Sequence, residues 1–297
     1  MKILVTGANG QVGYELRRTL ATLGEVIAID VDTIDFGNAD ALRARIREIS
    51  PQMVVNAAAY TAVDKAESNP ALAMRVNAAA PGVIAEEARR LRAVLVHYST
   101  DYVYDGTKTG PYVETDATNP LSVYGKTKLA GDEAIIASGA AHVILRTSWV
   151  YGARGNNFFL TMRRLGAERE ELRIVNDQTG APTWSRMLAQ ATAQILAVAG
   201  TPAALDGRSG VYHLTAGGAT TWFGFVNAIM ARAGALGLTR VPRLVPITTA
   251  DYPLPARRPT NSVLSNDKIA QAFAVVMPAW ELAFASCAED AGAGRKA

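Results

Sequence analysis

The chain has 297 residues, 49% hydrophobic and 19% charged, an ordinary composition for a folded protein with a sizeable core. Its 30 Lys and Arg against 27 Asp and Glu leave a net charge of +3 with no basic block, which argues against a nucleic-acid footprint. One cysteine, Cys287, allows no internal disulfide and no cysteine-rich metal site; no run of about 18 apolar residues reads as a membrane span, so a cytoplasmic protein without membrane partners is expected.

Taken in chain order, short β-branched runs alternate with helical patterns. Strands are expected at Lys2–Thr6, Val26–Asp30, Met53–Asn56, Ala93–Tyr98 and His142–Thr147. Helices are expected up to Leu23, then at Ala39–Ile49, Asn77–Arg92 and Leu121–Ala137. Strands apolar on both faces, alternating with helices, predict an α/β fold with a Rossmann-like, doubly wound parallel sheet and right-handed crossovers. After Tyr151 the pattern loosens. Helices are expected at Phe158–Arg169, Thr183–Ala199, Thr221–Gly234 and Trp280–Ala288, and strands at Leu172–Val175 and Gly210–Leu214. A proline-rich ordered loop is expected over Pro246–Pro259 and a frayed tail from Gly292.

Directly after the first strand comes Gly7-Ala8-Asn9-Gly10-Gln11-Val12-Gly13. Gly7 suits a tight turn, Gly10 a close approach of backbone to a pyrophosphate, and Gly13 close packing of helix on sheet. The helix that follows would present N–H groups to phosphate oxygens. Taken alone, such a motif is also read as a plain glycine-rich turn; its place between the first strand and the first helix favours a dinucleotide. Asp30 ends the second strand, where a carboxylate accepts from ribose hydroxyls and repels a 2′-phosphate, so electrostatics leans towards NADH. As a lone residue, Asp30 reads equally well as a helix cap. These signals divide the chain into a dinucleotide-binding domain at 1–150 and a smaller α/β, mainly substrate-binding domain at 151–297, with some segments returning to the sheet.

Tyr124 and Lys128 form Tyr-x-x-x-Lys, which on a helix puts both on one face and Lys126 elsewhere. A phenol, with its reference pKa of about 10, needs a nearby ammonium to lower it before it trades protons readily at neutral pH. An exposed Tyr/Lys pair is the plainer reading of that motif by itself. Thr100, in Ser99-Thr100-Asp101, falls at the carboxyl end of the fourth strand, where ligands of open α/β sheets bind. Its hydroxyl is suited to a carbonyl oxygen that Tyr124 protonates. Phosphate loop, strand-end hydroxyl and Tyr-x-x-x-Lys agree in chain order.

With these motifs the chain resembles the extended short-chain dehydrogenases/reductases that act on nucleotide sugars. Segments Asn56–Glu67, Tyr98–Tyr104, Arg146–Tyr151, Asn176–Thr183 and Arg258–Ser262 are similar to the signature of the dTDP-4-dehydrorhamnose reductase family, over residues 1 to about 285. The resemblance implies reduction of dTDP-4-dehydro-6-deoxy-L-mannose to dTDP-L-rhamnose with NADPH or NADH. It implies Tyr124 as proton donor, Lys128 on the nicotinamide ribose and Thr100 on the C4 oxygen. It places Gly7, Gly10, Gln11, Val12, Gly13, Asp30, Asp35, Phe36, Ala59, Tyr60, Thr61, Tyr98 and Lys128 around the cofactor. Thr100, Asp101, Tyr102, Trp149 and Arg258 fall on the substrate side.

Some family members hold Mg²⁺ at a dimer contact of glutamates; Glu15 and Glu281 fit that pattern, but Arg186 stands where a glutamate is expected, so no metal is expected and a monomer or a homodimer remains open. Arg43 or Arg45 could offset the repulsion of a 2′-phosphate by Asp30. Three scattered histidines, His97, His142 and His213, read as structural, and Trp184, Trp222 and Trp280 as packing. Glu86, Glu87, Arg89, Arg90 and Arg92 read as a solvated helix face. Two rival readings are a non-catalytic binding subunit, like the beta subunit of methionine adenosyltransferase, and a nucleotide-sugar dehydratase or epimerase. Intact Thr100, Tyr124 and Lys128 favour an enzyme, and Tyr102 after Asp101 lacks the Asp-Glu pair of the dehydratases.

Overall fold

The computed structural model describes residues 1–293. The first half runs β1 (Lys2–Thr6), α1 (Gln11–Thr19), β2 (Glu25–Ile29), α2 (Ala39–Ile49), β3 (Met53–Asn56), α3 (Val63–Ser68), α4 (Pro70–Met74), a π turn at Arg75–Ala79, α5 (Ala80–Leu91), β4 (Val94–Thr100), α6 (Val123–Ser138) and β5 (His142–Thr147). The second half runs β6 (Val150–Tyr151), α7 (Phe158–Glu168), β7 (Glu171–Val175), β8 (Thr179–Gly180), β9 (Thr183–Trp184), α8 (Ser185–Ala199), β10 (Gly210–His213), β11 (Thr220–Thr221), α9 (Trp222–Ala231), β12 (Arg243–Ile247), α10 (Asp267–Phe273) and α11 (Trp280–Ala293).

The main sheet has six parallel strands in the order β10-β5-β4-β3-β1-β2. The chain goes outward from β1 to β2, then crosses back past β1 to β3. The helices that follow β1 and β3 therefore lie on opposite faces of the sheet, and a crevice opens at this switch point. Side-chain alternation splits the core into two layers. Ile3 and Val5 pack with Leu16 of α1 and Leu188 and Ile195 of α8. Leu4 packs on the other face with Leu42 and Ile46 of α2, Ile84 of α5 and Ile135 of α6. Strand β10 and helix α8, both beyond residue 151, thus belong to the dinucleotide-type sheet. A third cluster, with Tyr151, Phe159, Trp184, Phe225, Trp280, Phe284 and Cys287, forms the core of the C-terminal region.

Several expectations need correction. Strand β4 runs on through Ser99 and Thr100, because both still pair with β5. Thr183 and Trp184 are a short strand before α8, paired with β6. Pro246 lies not in a loop but in β12, opposite Ile174 in a two-stranded sheet, where an edge tolerates the missing donor. Glu87 is not on a solvated face: only 2% of it is exposed, and Arg43, Arg47 and Arg90 surround its carboxylate. Arg47 foremost, and Arg90 after it, hold it below the usual carboxylate range against the effect of burial. Gly292 continues α11, and residues 294–297 lie outside the described residues.

Gly13 shows how tightly the first crossover is built. A Cβ there would stand 2.8 Å from the Ala8 Cα and closer still to the Gly7 carbonyl oxygen. Gly13→Ala should destabilise the fold by about 1–3 kcal/mol, as overpacking does. Gly234→Ala, with nothing within 4 Å of its Cβ position, should not. Thermal unfolding of the two variants checks this.

Candidate active site

The glycine loop lies in the β1–β3 crevice. Gly7 has φ +67°, and a Cβ on it would sit 2.6 Å from the Ala58 nitrogen, so the loops after β1 and β3 touch backbone to backbone. No side chain caps α1, which leaves its first N–H groups, from Gln11 and Val12 onward, facing an open N-terminus. The Gln11 Oε1 is buried and has no protein partner. The glycine-lined turn and the uncapped helix amides fit a dinucleotide phosphate, whereas the Gln11 Oε1, which only accepts, suits a donor such as a hydroxyl.

Asp30 stands at this loop but is not idle. One oxygen accepts the Asn9 N–H at 2.6 Å and the other the Val31 N–H at 2.7 Å, so the carboxylate anchors the glycine loop. Asp35 accepts the Gly37 N–H at 2.7 Å, and Phe36 is buried in the α2 layer. Arg43 and Arg45 do not offset Asp30. Arg43 pairs with Asp40, Glu86 and Glu87, and Arg45 with Glu48. After β3, half-buried Ala59 and Tyr60 lead to exposed Thr61. Asn77, in the π turn, accepts the Tyr60 N–H at 2.8 Å, donates to the Tyr60 carbonyl at 3.1 Å, and donates to Thr127 of α6 at 3.1 Å. It ties the loop after β3 to the Tyr124 helix.

Thr100 ends β4. Its hydroxyl accepts the Tyr102 N–H at 3.2 Å and donates to Asp101 at 3.0 Å. Burial pushes the Asp101 carboxyl up to about 6, while the Ser262 and Thr100 hydroxyls pull the other way. Its second oxygen has no partner. Ser122 caps α6 through the Gly125 N–H at 3.1 Å, and Tyr124 follows in the first turn, with the Tyr102 ring edge-on at 5.6 Å. One turn on, Lys128 is 1% exposed, whereas Lys126 faces solvent, as the spacing implies. The Lys128 Nζ donates to the Tyr98 carbonyl at 2.6 Å and lies 3.1 Å from His97 Nε2.

Two details around Lys128 differ from what spacing and residue type alone imply. Lys128 does not depress Tyr124: burial lifts the phenol above its ordinary value, Thr100 opposes this, and Asp101 and Asp132 add to it. Lys128 is itself pushed down to about 8 by burial, with Asp132 opposing. Tyr98 lends its carbonyl to Lys128, but its ring packs beneath α8 and its hydroxyl pairs with Thr192 at 2.6 Å.

Trp149, expected on the substrate side, adopts φ +48° and stacks on Trp222, with centroids 3.5 Å apart and planes 6° apart. Arg258 pairs with Asp64 at 2.8 and 3.1 Å, and this pairing holds the Asp64 carboxyl below its ordinary value. The strap that carries Arg258 continues to Ser262, beside Asp101. Asn77 and Asp132 are thus neighbours of these residues that motif reading passed over, while His97 had been read only as structural and Trp222 only as packing. A polar residue inside an otherwise apolar strand, as at His97 and Asn56, was the available signal. Elsewhere, Arg186 spans Glu15 and Asp290, so Asp290 rather than Glu281 completes that cluster. A guanidinium between two carboxylates does not suit a divalent cation, and among the described residues no three His, Cys, Asp or Glu side chains converge. A cavity of about 710 Å³ lined by these residues includes none of Thr100, Tyr124 and Lys128.

A phosphate-type loop at the switch point of a parallel sheet, with Thr100, Tyr124 and Lys128 beside it, defines the class of the short-chain dehydrogenases/reductases. A family model described as the RmlD substrate binding domain matches residues 1–292. A dTDP-4-dehydrorhamnose reductase of Burkholderia thailandensis is 52% identical, covering 98% of this chain and 99% of its own. The crystal structure of a dTDP-4-dehydrorhamnose reductase from Clostridium acetobutylicum is 38% identical with a TM-score of 0.88, covering 97% of this chain and 98% of that one. The Bacillus anthracis dTDP-4-dehydrorhamnose reductase, solved in complex with NADP, is 32% identical with a TM-score of 0.88, over 96% and 98% of the two chains. The chain belongs to the dTDP-4-dehydrorhamnose reductase family.

Asn77→Ala should leave the Tyr60 N–H unpaired, at a cost of about 1–3 kcal/mol. Because the lost bonds hold the cofactor-side loop, affinity for NADPH should fall by about tenfold, or 1.4 kcal/mol. Cofactor fluorescence titration, with thermal unfolding alongside, measures both.

Proposed function

We propose that the chain reduces the C4 carbonyl of dTDP-4-dehydro-6-deoxy-L-mannose to give dTDP-L-rhamnose, using NADPH or NADH. The observation that carries this reading is Tyr124 beside the Thr100 end of β4, kept as a phenol by its burial. In this reading Gly7, Gly10, Gln11, Val12 and Gly13 hold the cofactor phosphates, and Asp30, Asp35, Phe36, Ala59, Tyr60 and Thr61 line the rest of its path. When bound, the nicotinamide supplies the hydride to the sugar C4.

The residues of the chain manage the oxygen. Reduction turns C4=O into CH–OH, with one hydride to carbon and one proton to oxygen. Tyr124 donates that proton, and a pKa above the ordinary phenol keeps the donor form filled. For Thr100 to donate to the carbonyl, its proton turns away from Asp101. Asp101, with a pKa near 6 and an orphaned oxygen, then takes a hydrogen bond from substrate or water in exchange. Tyr102, Trp149 and Arg258 line the substrate side. The Arg258–Asp64 pair gives the sugar nucleotide a cation already fixed in place. Among the described residues no helix is long and apolar enough to cross a membrane.

Purified protein should oxidise NADPH or NADH when given the enzymatically generated 4-dehydro sugar. Tyr124→Phe should lose about 10²–10⁴ in kcat while keeping cofactor affinity. Lys128→Ala should lower both turnover and cofactor affinity, and Lys126→Ala neither. Near-normal turnover of Tyr124→Phe would remove the phenol from the mechanism.

Asp30→Ala tests the cofactor's ribose end. Losing the Asn9 anchor should lower kcat/KM with both cofactors, and losing a ribose acceptor should lower it further for NADH. An equal loss with both, at one ionic strength, would leave Asp30 as a loop anchor alone.

A further inference from the structure

Trp149 follows β5 at the carboxyl edge of the sheet, two residues beyond Thr147, the register partner of Thr100. Among the described residues, the other non-glycine positions with positive φ are Ser50, Arg92 and Ala274, and each ends a helix as its left-handed cap. Trp149, at φ +48°, caps nothing. A bulky residue in that region is strained and persists only where its surroundings hold it. The Trp222 indole lies on one face of Trp149, with centroids 3.5 Å apart and planes 6° apart. Gly180 backs the other face: a Cβ on it would stand 2.5 Å from Trp149 Cε2 and 2.8 Å from the adjoining Cζ2 and Nε1, directly over the ring. The two sides of this sandwich are tied together, because β8 pairs with β11, which leads into Trp222. Trp222 is itself held by Gln178, which accepts its Nε1–H at 3.1 Å, and by the Phe158 ring, with centroids 4.4 Å apart. Gln178 is fixed in turn by donating to the Thr249 hydroxyl at 3.1 Å. The Trp149 Nε1–H has no hydrogen-bond partner among the described residues and, unlike the Thr147 hydroxyl, is not sealed from solvent. With both faces covered, that edge is what the indole offers a ligand, and an indole N–H only donates.

Resting on the reductase reading above, we propose that Trp222 is a positioning residue for the sugar nucleotide: its stacking holds Trp149 in the strained pose that presents Nε1–H to an acceptor oxygen of the sugar. Recognition is then by a hydroxyl or ring oxygen at the indole edge, not by a sugar stacked on the indole face. A hydrogen bond weakens steeply as its angle closes, so the tilt of the indole decides whether the bond forms. Coplanar contact with Trp222 fixes that tilt. Without Trp222 one face of Trp149 is bare, and the backbone relaxes from φ +48° towards the ordinary regions, taking the N–H with it.

Calorimetric binding of dTDP-L-rhamnose and of NADPH, on the parent chain and its variants, tests this. Trp149→Phe keeps an aromatic ring without the N–H, and Trp222→Ala keeps the N–H without its support. Each should bind the sugar nucleotide about three- to tenfold more weakly, the worth of one hydrogen bond. NADPH affinity should stay that of the parent chain in both. Trp222→Phe, which retains a flat face, should restore binding of the sugar nucleotide. In turnover the loss should fall on KM for the 4-dehydro sugar and leave kcat in place. Adding Trp222→Ala to Trp149→Phe should cost almost nothing further, because Trp222 acts through that N–H. Should Trp222→Ala not fold, Trp222→Leu, apolar but without a flat face, takes its place with the same expectations. Parent-like binding of the sugar nucleotide by Trp149→Phe, full additivity of the two changes, or an equal loss of NADPH affinity would overturn the proposal. A parent chain that binds NADPH but no dTDP-L-rhamnose would instead sink the reductase reading, and this proposal with it.

Discussion

The hydrogen bond from the buried Lys128 Nζ to the Tyr98 carbonyl, 2.6 Å long, fixes the Tyr124 helix to the sheet. A lysine 1% exposed would be costly without such a partner. The bond holds only because α6 comes very close to its neighbours. A Cβ on Gly125 would collide with the Tyr102 carbonyl, and one on Gly131 with the Asn77 carbonyl. These three contacts, at Tyr102, Tyr98 and Asn77, fix the height and rotation of the helix. Tyr124 then has little freedom to be anywhere except beside Thr100.

The remainder of the site hangs on the same sheet edge. The switch between β1 and β3 opens the crevice, and the backbone contact of Gly7 with Ala57 and Ala58 closes its floor. Asp30 and Asn77 brace its two walls from below, one through the Asn9 N–H and one through Tyr60. The second half of the chain contributes in two ways. Strand β10 and helix α8 complete the sheet and its cover, while the 258–262 strap returns to meet Asp64 and Asp101. Asp64 and Asp101 of the first half therefore meet Arg258 and Ser262 of the second.

What the sequence disclosed follows from range. Gly7 to Gly13 and Tyr124 to Lys128 are local patterns whose geometry is set within one or two turns, so their placement was readable. The parallel sheet was readable because apolar runs announce strands buried on both faces. Glu87 was misread because its arginine partners Arg43 and Arg47 lie on another helix, 40 or more positions away. The contact of Thr6, Asn56 and His97 was hidden for a similar reason: they become neighbours only once β1, β3 and β4 align. The direction of the Tyr124 shift was also misjudged. Spacing shows that Lys128 shares its face but not that the amine turns towards β4.

The most direct test of the account follows the hydride. The chain should be incubated with the 4-dehydro sugar nucleotide and a nicotinamide cofactor carrying deuterium at its transferable position, and the product examined by NMR. Carbonyl reduction at C4 predicts one deuterium on sugar C4 of dTDP-L-rhamnose and one oxidised cofactor for each sugar reduced. A deuterium-free product, a label at another carbon, or a sugar altered without net cofactor oxidation would contradict it.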